Sequence, residues 1–183
     1  MTKSLLIRGA EVVVTMDGAR REIAGGDVLV EGGVISAVGP GLSAEGAEVV
    51  EARGCVVTPG LVNTHHHLFQ TLTRAVPAAQ DAALFGWLRT LYPIWGRMGP
   101  EDIRLSTRIG LAELALSGCT CSSDHLYLFP NGARLDDSIE AAAEIGIRFT
   151  ATRGAMSIGE SKGGLPPDAL VEDEAAILKD SER

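Results

Sequence analysis

Cysteine and histidine are scarce in this 183-residue chain, at three and four residues, and aromatic side chains make up only 4%. Cys55, Cys119 and Cys121 are an odd set. The last two are one residue apart, a spacing that fits neither a CxxC redox motif nor a zinc finger. Such a set reads as buried free thiols in a reducing compartment. No apolar stretch approaches the ~18 residues of a membrane span. The opening MTKSLLIRGAEVVV breaks its apolar run with Arg8 and Glu11, a poor pattern for a signal peptide, so a cytoplasmic protein with no membrane partner is expected. Excess positive charge is also lacking: the formal net charge is -8, which argues against nucleic acid as a partner. Internal repeats and low-complexity tracts are absent.

What is present is ordinary soluble composition: 45% hydrophobic residues, enough for a sizeable core, and 22 glycines that imply many tight connections. Up to about residue 58 the sequence predicts short strands, at Leu5–Ile7, Glu11–Thr15, Asp27–Glu31, Val34–Val38 and Cys55–Thr58. They are separated by turn signals such as Asp17-Gly18 and Gly32-Gly33. A small antiparallel β unit is the expectation for residues 1–58.

The character changes at Pro59-Gly60. Residues 59–183 alternate apolar strands with helices. Strands are predicted at Leu61–His65, Thr120–Leu126 and Arg148–Thr152. Helices are predicted at Ala82–Arg97, Glu101–Ser117, Leu135–Glu144 and Pro166–Lys179. In the first helix Trp87, Leu91 and Trp95 recur at helical spacing, with Pro93 as a kink signal. In the second, Leu105, Ile109, Ala112 and Leu116 are the predicted core face. Repeated strand–helix units imply a parallel sheet and an α/β class. From Gly60 onward the chain is about half the ~250 residues of a complete (β/α)8 barrel. The connection Gly154–Asp168 is long and reads as a flexible loop or as a lid.

The chemistry-bearing run is Asn63-Thr64-His65-His66-His67, which holds three of the four histidines. On a strand, His65 and His67 share a face and His66 points opposite. Two imidazoles on one face suit Zn²⁺, and the C-terminal end of a barrel strand is where such folds keep their chemistry. An incidental histidine cluster on a loop is the alternative.

Val57-Thr58-Pro59-Gly60-Leu61-Val62-Asn63-Thr64-His65-His66-His67 resembles the first barrel strand of the amidohydrolase superfamily. The preceding Ile7-Arg8-Gly9-Ala10 and Asp27 to Ile35 are similar to the small β-sandwich-like unit these enzymes carry before a (β/α)8 TIM barrel. Within the superfamily the deaminase and chlorohydrolase branch is closest in pattern. Leu68 to Arg74, Gln80-Asp81, Leu84 to Leu88 and Thr152 to Ser157 resemble 8-oxoguanine deaminases.

The resemblance implies one divalent metal ion, zinc, with His65 and His67 as its first two ligands. It implies substrate contacts from Gln70, Trp87 and Arg153. Other readings stay open at each: Gln70 as a backbone cap, Trp87 as helix core, Arg153 as a surface or phosphate-site residue. Asp124 and His125 end the second predicted strand; either a structural histidine or a group at the barrel mouth fits His125. Cys119 and Cys121, on one strand face opposite Thr120, are candidates by position only.

The implied reaction is hydrolytic deamination of a purine-type heterocycle such as 8-oxoguanine or guanine. Zinc lowers the pKa of a water toward ~7, water attacks the ring carbon bearing the amine, and ammonia leaves a carbonyl behind. A chlorohydrolase or aminohydrolase of triazine-like rings is the alternative within the branch. A non-catalytic remnant is the alternative outside it. A two-metal hydantoinase-type enzyme also uses His-x-His and is separated only by the flanking segments.

No histidine follows His125, whereas the family draws its remaining ligands and proton-transfer groups from later strands. The expectation is therefore a truncated barrel, inactive and poorly stable by itself, from a full-length protein that is a homo-oligomer.

Overall fold

The computed structural model describes residues 4–182; the first three residues of the expected β unit and the last residue of the barrel portion lie outside that range. The chain divides into two compact units, Met1–Pro59 and Gly60–Arg183.

The first unit contains β1 (Leu5–Arg8), β2 (Val12–Val14), β3 (Glu22–Ala24), β4 (Gly26–Glu31), β5 (Val34–Pro40), β6 (Glu48–Glu51) and β7 (Val56–Val57). They form one sheet in the order β5-β4-β1-β6 and a second in the order β3-β2-β7. Ala10, Val13, Val28 and Ala52 make the shared core. The wholly antiparallel unit expected from sequence is corrected here: β1 pairs with β6, and β2 with β7, in parallel. β6 and β7 return after long excursions and run in the direction of the strands they join, which no local turn signal encodes. β3 and β6 were not anticipated, being three and four residues long, with glutamate at the start of β3 and at both ends of β6. Asp27, buried at the start of β4, is the polar tie of this unit. Its carboxylate accepts from the backbone N–H of Gly9 at 2.7 Å and of Leu42 at 2.8 Å.

In the second unit β8 (Leu61–Asn63), β9 (Cys119–Leu126) and β10 (Arg148–Arg153) form a parallel sheet in the order β10-β9-β8. The helices are α1 (Leu84–Trp95), α2 (Pro100–Leu116), α3 (Leu135–Ile145) and α4 (Glu174–Ser181). Parallel strands must be joined by crossovers, and helices supply both: α1 and α2 between β8 and β9, α3 between β9 and β10. The class is α/β, as the strand–helix alternation implied. No helix among the described residues is long and apolar enough to cross a membrane.

Trp87, Leu91 and Trp95 do mark the packed face of α1, with Leu91 and Trp95 fully buried. The expected core face of α2 is corrected. Leu105 is 47% and Leu116 90% exposed, whereas Ile103, Ser106, Thr107, Gly110 and Leu111 are buried. That buried stripe also has helical spacing. Hydrophobicity alone passes over it because three of its members are small or polar. Each is buried for a contact: Ser106 Oγ donates to the Leu68 carbonyl at 2.7 Å, Thr107 bonds Ser138 of α3 at 3.3 Å, and Gly110 lets a neighbour approach.

The last predicted helix also begins later, at Glu174 rather than Pro166. Asp173 is its cap, accepting from the N–H groups of Ala175 and Ala176. The connection before it is knitted to itself. Asp168 accepts from both the N–H and the hydroxyl of Ser161, and Glu172 N–H donates to the Met156 carbonyl at 2.9 Å.

Candidate metal centre

β8 stops at Asn63, so the three histidines lie just beyond the strand end. The Asn63 side chain turns the chain there by accepting from the His65 N–H at 3.3 Å. From Leu68 to Thr73 the backbone forms a 3-10 helix. Its first residue, Leu68, is held at both polar atoms: its N–H donates to Asp124 Oδ1 at 2.8 Å and its carbonyl accepts from Ser106. Asp124 is buried, and burial pushes its carboxyl up to about 6 against the bonds from the Leu68 and His125 N–H groups. The segment after His67 is thus pinned between β9 and α2.

The rings of His65 and His67 converge, with centroids 5.1 Å apart. His67 Nδ1–H donates to the carbonyl oxygen of His125 at 2.8 Å. A carbonyl only accepts, so Nδ1 carries the proton and Nε2 is left as a lone pair. This is the arrangement that metal-bound histidines use to fix tautomer and ring orientation. His65 and His67 therefore fit a divalent metal as two of its ligands. Among the described residues no group of three or more His, Cys, Asp or Glu side chains could enclose one; catalytic zinc takes three protein ligands.

A cavity of about 230 Å³ is lined by His65, His66, His67, Gln70, Thr71 and Arg74. Strand alternation put His66 on the opposite side, yet it lines the same cavity. The residues lie past the end of β8, where the two-residue repeat no longer applies. Burial, helped by the neighbouring His67 and Arg74, holds His66 below its ordinary pKa.

Gln70 also faces this cavity, and its Nε2 donates to Tyr127 Oη at 3.3 Å. Tyr127 presents its ring edge-on to His67 at 5.3 Å and to Phe69 at 5.1 Å. Burial pushes its hydroxyl up to about 12. Sequence reasoning missed Tyr127. The available signal was its two-residue spacing from His125.

The His125 ring lies 5.3 Å from that of His67, so it does join the histidine group. Trp87 and Arg153 do not line the cavity. Trp87 is half-buried and stacks edge-on to Trp95 at 5.3 Å. The Arg153 side chain is only 8% exposed. Its guanidinium pairs with Glu172 at 2.6 Å and Asp180 at 3.1 Å, and sits 4.4 Å over the Phe129 ring. The shared face expected for Cys119 and Cys121 is corrected. A bulge opposite Leu61–Val62 makes Thr120 an extra residue and breaks the alternation. Cys119 is buried and Cys121 half-buried, and Cys119 Sγ donates to the Cys121 carbonyl.

Residues 56–182 match the amidohydrolase family. The chain belongs to that family. It is 46% identical to 8-oxoguanine deaminase of Pseudomonas aeruginosa, across 97% of this chain and 40% of that protein. It is 35% identical to hydroxydechloroatrazine ethylaminohydrolase of Pseudomonas sp. strain ADP, again across 97% of this chain and 40% of the relative. In three dimensions it is similar to zinc-complexed atrazine chlorohydrolase from Arthrobacter aurescens TC1, with a TM-score of 0.85 and 34% identity. That likeness covers 96% of this chain and 41% of the other. The chain spans about 40% of the length of these relatives.

Proposed function

We propose that these residues supply the first metal-binding pair and one wall of the substrate site in a zinc-dependent aminohydrolase. The observation that carries this reading is the His67 Nδ1–H bond to the His125 carbonyl, which leaves Nε2 as a bare lone pair on a ring 5.1 Å from that of His65. The reaction is hydrolytic removal of an exocyclic amine from a purine-type base such as 8-oxoguanine, giving the oxo product and ammonia. Identity to a named 8-oxoguanine deaminase, at 46%, supports this substrate class. The complete fold is a (β/α)8 barrel that brings further ligands and proton-transfer groups to the same end of the sheet.

Zinc held by His65 and His67, with those further ligands, would lower the pKa of water and polarise the ring carbon it attacks. This chain's own residues orient and bind. The His125 carbonyl fixes the His67 tautomer, Asp124 and Ser106 pin the segment that follows, and Gln70 offers a hydrogen bond to the ring. The Gln70 carboxamide recognises a base edge.

A second reading, removal of chloride or an alkylamine from a triazine, is favoured by the likeness to atrazine chlorohydrolase. The full-length native polypeptide, loaded with zinc, should be offered 8-oxoguanine, guanine, isoxanthopterin and alkylamino- or chlorotriazines. Ammonia released fastest from 8-oxoguanine supports the deaminase. Chloride or alkylamine released faster from the triazines replaces it with the second reading. No turnover of any ring, with zinc bound, overturns both.

A further inference from the structure

We propose that Tyr127 is a positioning residue for substrate specificity, which sets the orientation of the Gln70 carboxamide so that the site accepts a ring N–H. The inference rests on the hydrolase reading above and goes beyond it to the recognition of one edge of the ring.

A glutamine side chain is a free rotor whose two ends have opposite hydrogen-bonding sense. Fixing it costs rotamer entropy, so a glutamine held in place before the substrate arrives binds better than a mobile one. Here the Gln70 amine end is already engaged, with Nε2 donating to Tyr127 Oη at 3.3 Å. Among the described residues no donor engages Gln70 Oε1. Gln70 lines the cavity beside His65 and His67, and Tyr127 is not among the lining residues. The free end is therefore an acceptor beside the candidate metal pair.

Tyr127 is itself closely packed. Its ring contacts His67, Phe69 and His125, with centroids 5.3, 5.1 and 5.7 Å away. Gly154, just after β10, lies against it: a Cβ added there would lie 2.6 Å from Tyr127 Cβ and 2.4 Å from His125 Nε2. The hydroxyl is thus a fixed post, and the amide it holds is preorganised. An acceptor in that place selects heterocycles presenting a lactam or amidine N–H over rings whose corresponding nitrogen is bare or alkylated.

The test is a double-mutant cycle in the zinc-loaded full-length polypeptide, with guanine or 8-oxoguanine and their N1-methyl derivatives as probes. Tyr127→Phe keeps the ring and removes the post. We expect KM for the N–H probe to rise about fivefold, the size of one neutral hydrogen bond, with kcat within about twofold, because the contact serves ground and transition states alike. KM for the N-methyl probe should not move. In a Gln70→Ala background, Tyr127→Phe should change KM by less than about twofold. Additive effects of the two substitutions, or a fall in kcat with KM unchanged, would overturn the positioning role while leaving the hydrolase reading intact. A wild-type protein inert toward every ring overturns that reading, and this inference with it.

Discussion

His67 Nδ1 lies 2.8 Å from the carbonyl oxygen of His125, so the proton on the first of these rings is fixed by the backbone, not the side chain, of the second. It follows that His125→Ala keeps the bond. In a ¹⁵N spectrum of the imidazoles, His67 should be Nδ1-protonated in both the wild type and this variant, and an Nε2–H tautomer in either would refute the arrangement. His67→Ala and His65→Ala should each lower zinc affinity of the full-length polypeptide by tenfold or more, on the order of what ligand support is worth at such sites.

Gly110 of α2 lies close against the segment after the histidines. An added Cβ would lie 2.6 Å from Leu68 Cδ2 and 2.9 Å from Thr71 Oγ1. Alanine usually stabilises a helix interior by about 1 kcal/mol relative to glycine. Overpacking costs about 1–3 kcal/mol, and the Leu68 side chain, fully buried with Leu111 and Ala142, has little space to retreat into. Gly110→Ala should therefore destabilise the fold. A rise in Tm on substitution would show that Leu68 yields.

The buried Trp95 Nε1–H donates to Thr73 Oγ1 at 3.0 Å, and that hydroxyl donates on to the Gln70 carbonyl at 2.9 Å. Thr73→Val is nearly the same shape but leaves the indole N–H without an acceptor. Unfolding in urea should show a loss of about 1–3 kcal/mol. Thr73→Ser, which keeps the hydroxyl, should recover most of it; equal losses in the two variants would point to packing instead.

Asp27→Ala should be the most damaging polar substitution in the first unit, since it strands the N–H groups of Gly9 and Leu42 together. The expected cost is about 1–3 kcal/mol for each donor left unpaired. Hydrogen exchange at Gly9 and Leu42 provides a local readout: both amides should lose protection first, and unchanged protection would contradict the assignment.

Asp17 offers a pH test. Its hydrogen bond from Arg21, with a second from Thr15, lowers its pKa from 3.8 to about 2. A depressed folded value means that the interaction contributes above the unfolded pKa and is lost as pH falls through about 2. In Arg21→Ala the carboxyl should titrate closer to 3.8 by carbon NMR. A titration that stays near 2 would assign the shift elsewhere.

The strands β4, β5 and β9 and the helices α1 to α3 were legible because each carries a local period or a turn signal. The histidine run stood out because three of four histidines are consecutive. What failed had a common cause. The buried face of α2 is written in Ser106, Thr107 and Gly110, whose reason for burial is a partner elsewhere in the chain. The bulge at Thr120 and the parallel pairing of β6 and β7 likewise depend on a neighbouring strand.

By itself, the sequence determined the α/β class, the family and the histidine run proposed to hold the metal, since periodicity, punctuation and a contiguous motif are properties of neighbouring residues. Only the tertiary structure decided which atoms serve them. The His125 carbonyl is 58 residues from His67, and Tyr127 is 57 from Gln70. Contacts at that separation are set by how β9 registers against the end of β8. That register is fixed by packing on both sides of the sheet, not by any local pattern along one strand.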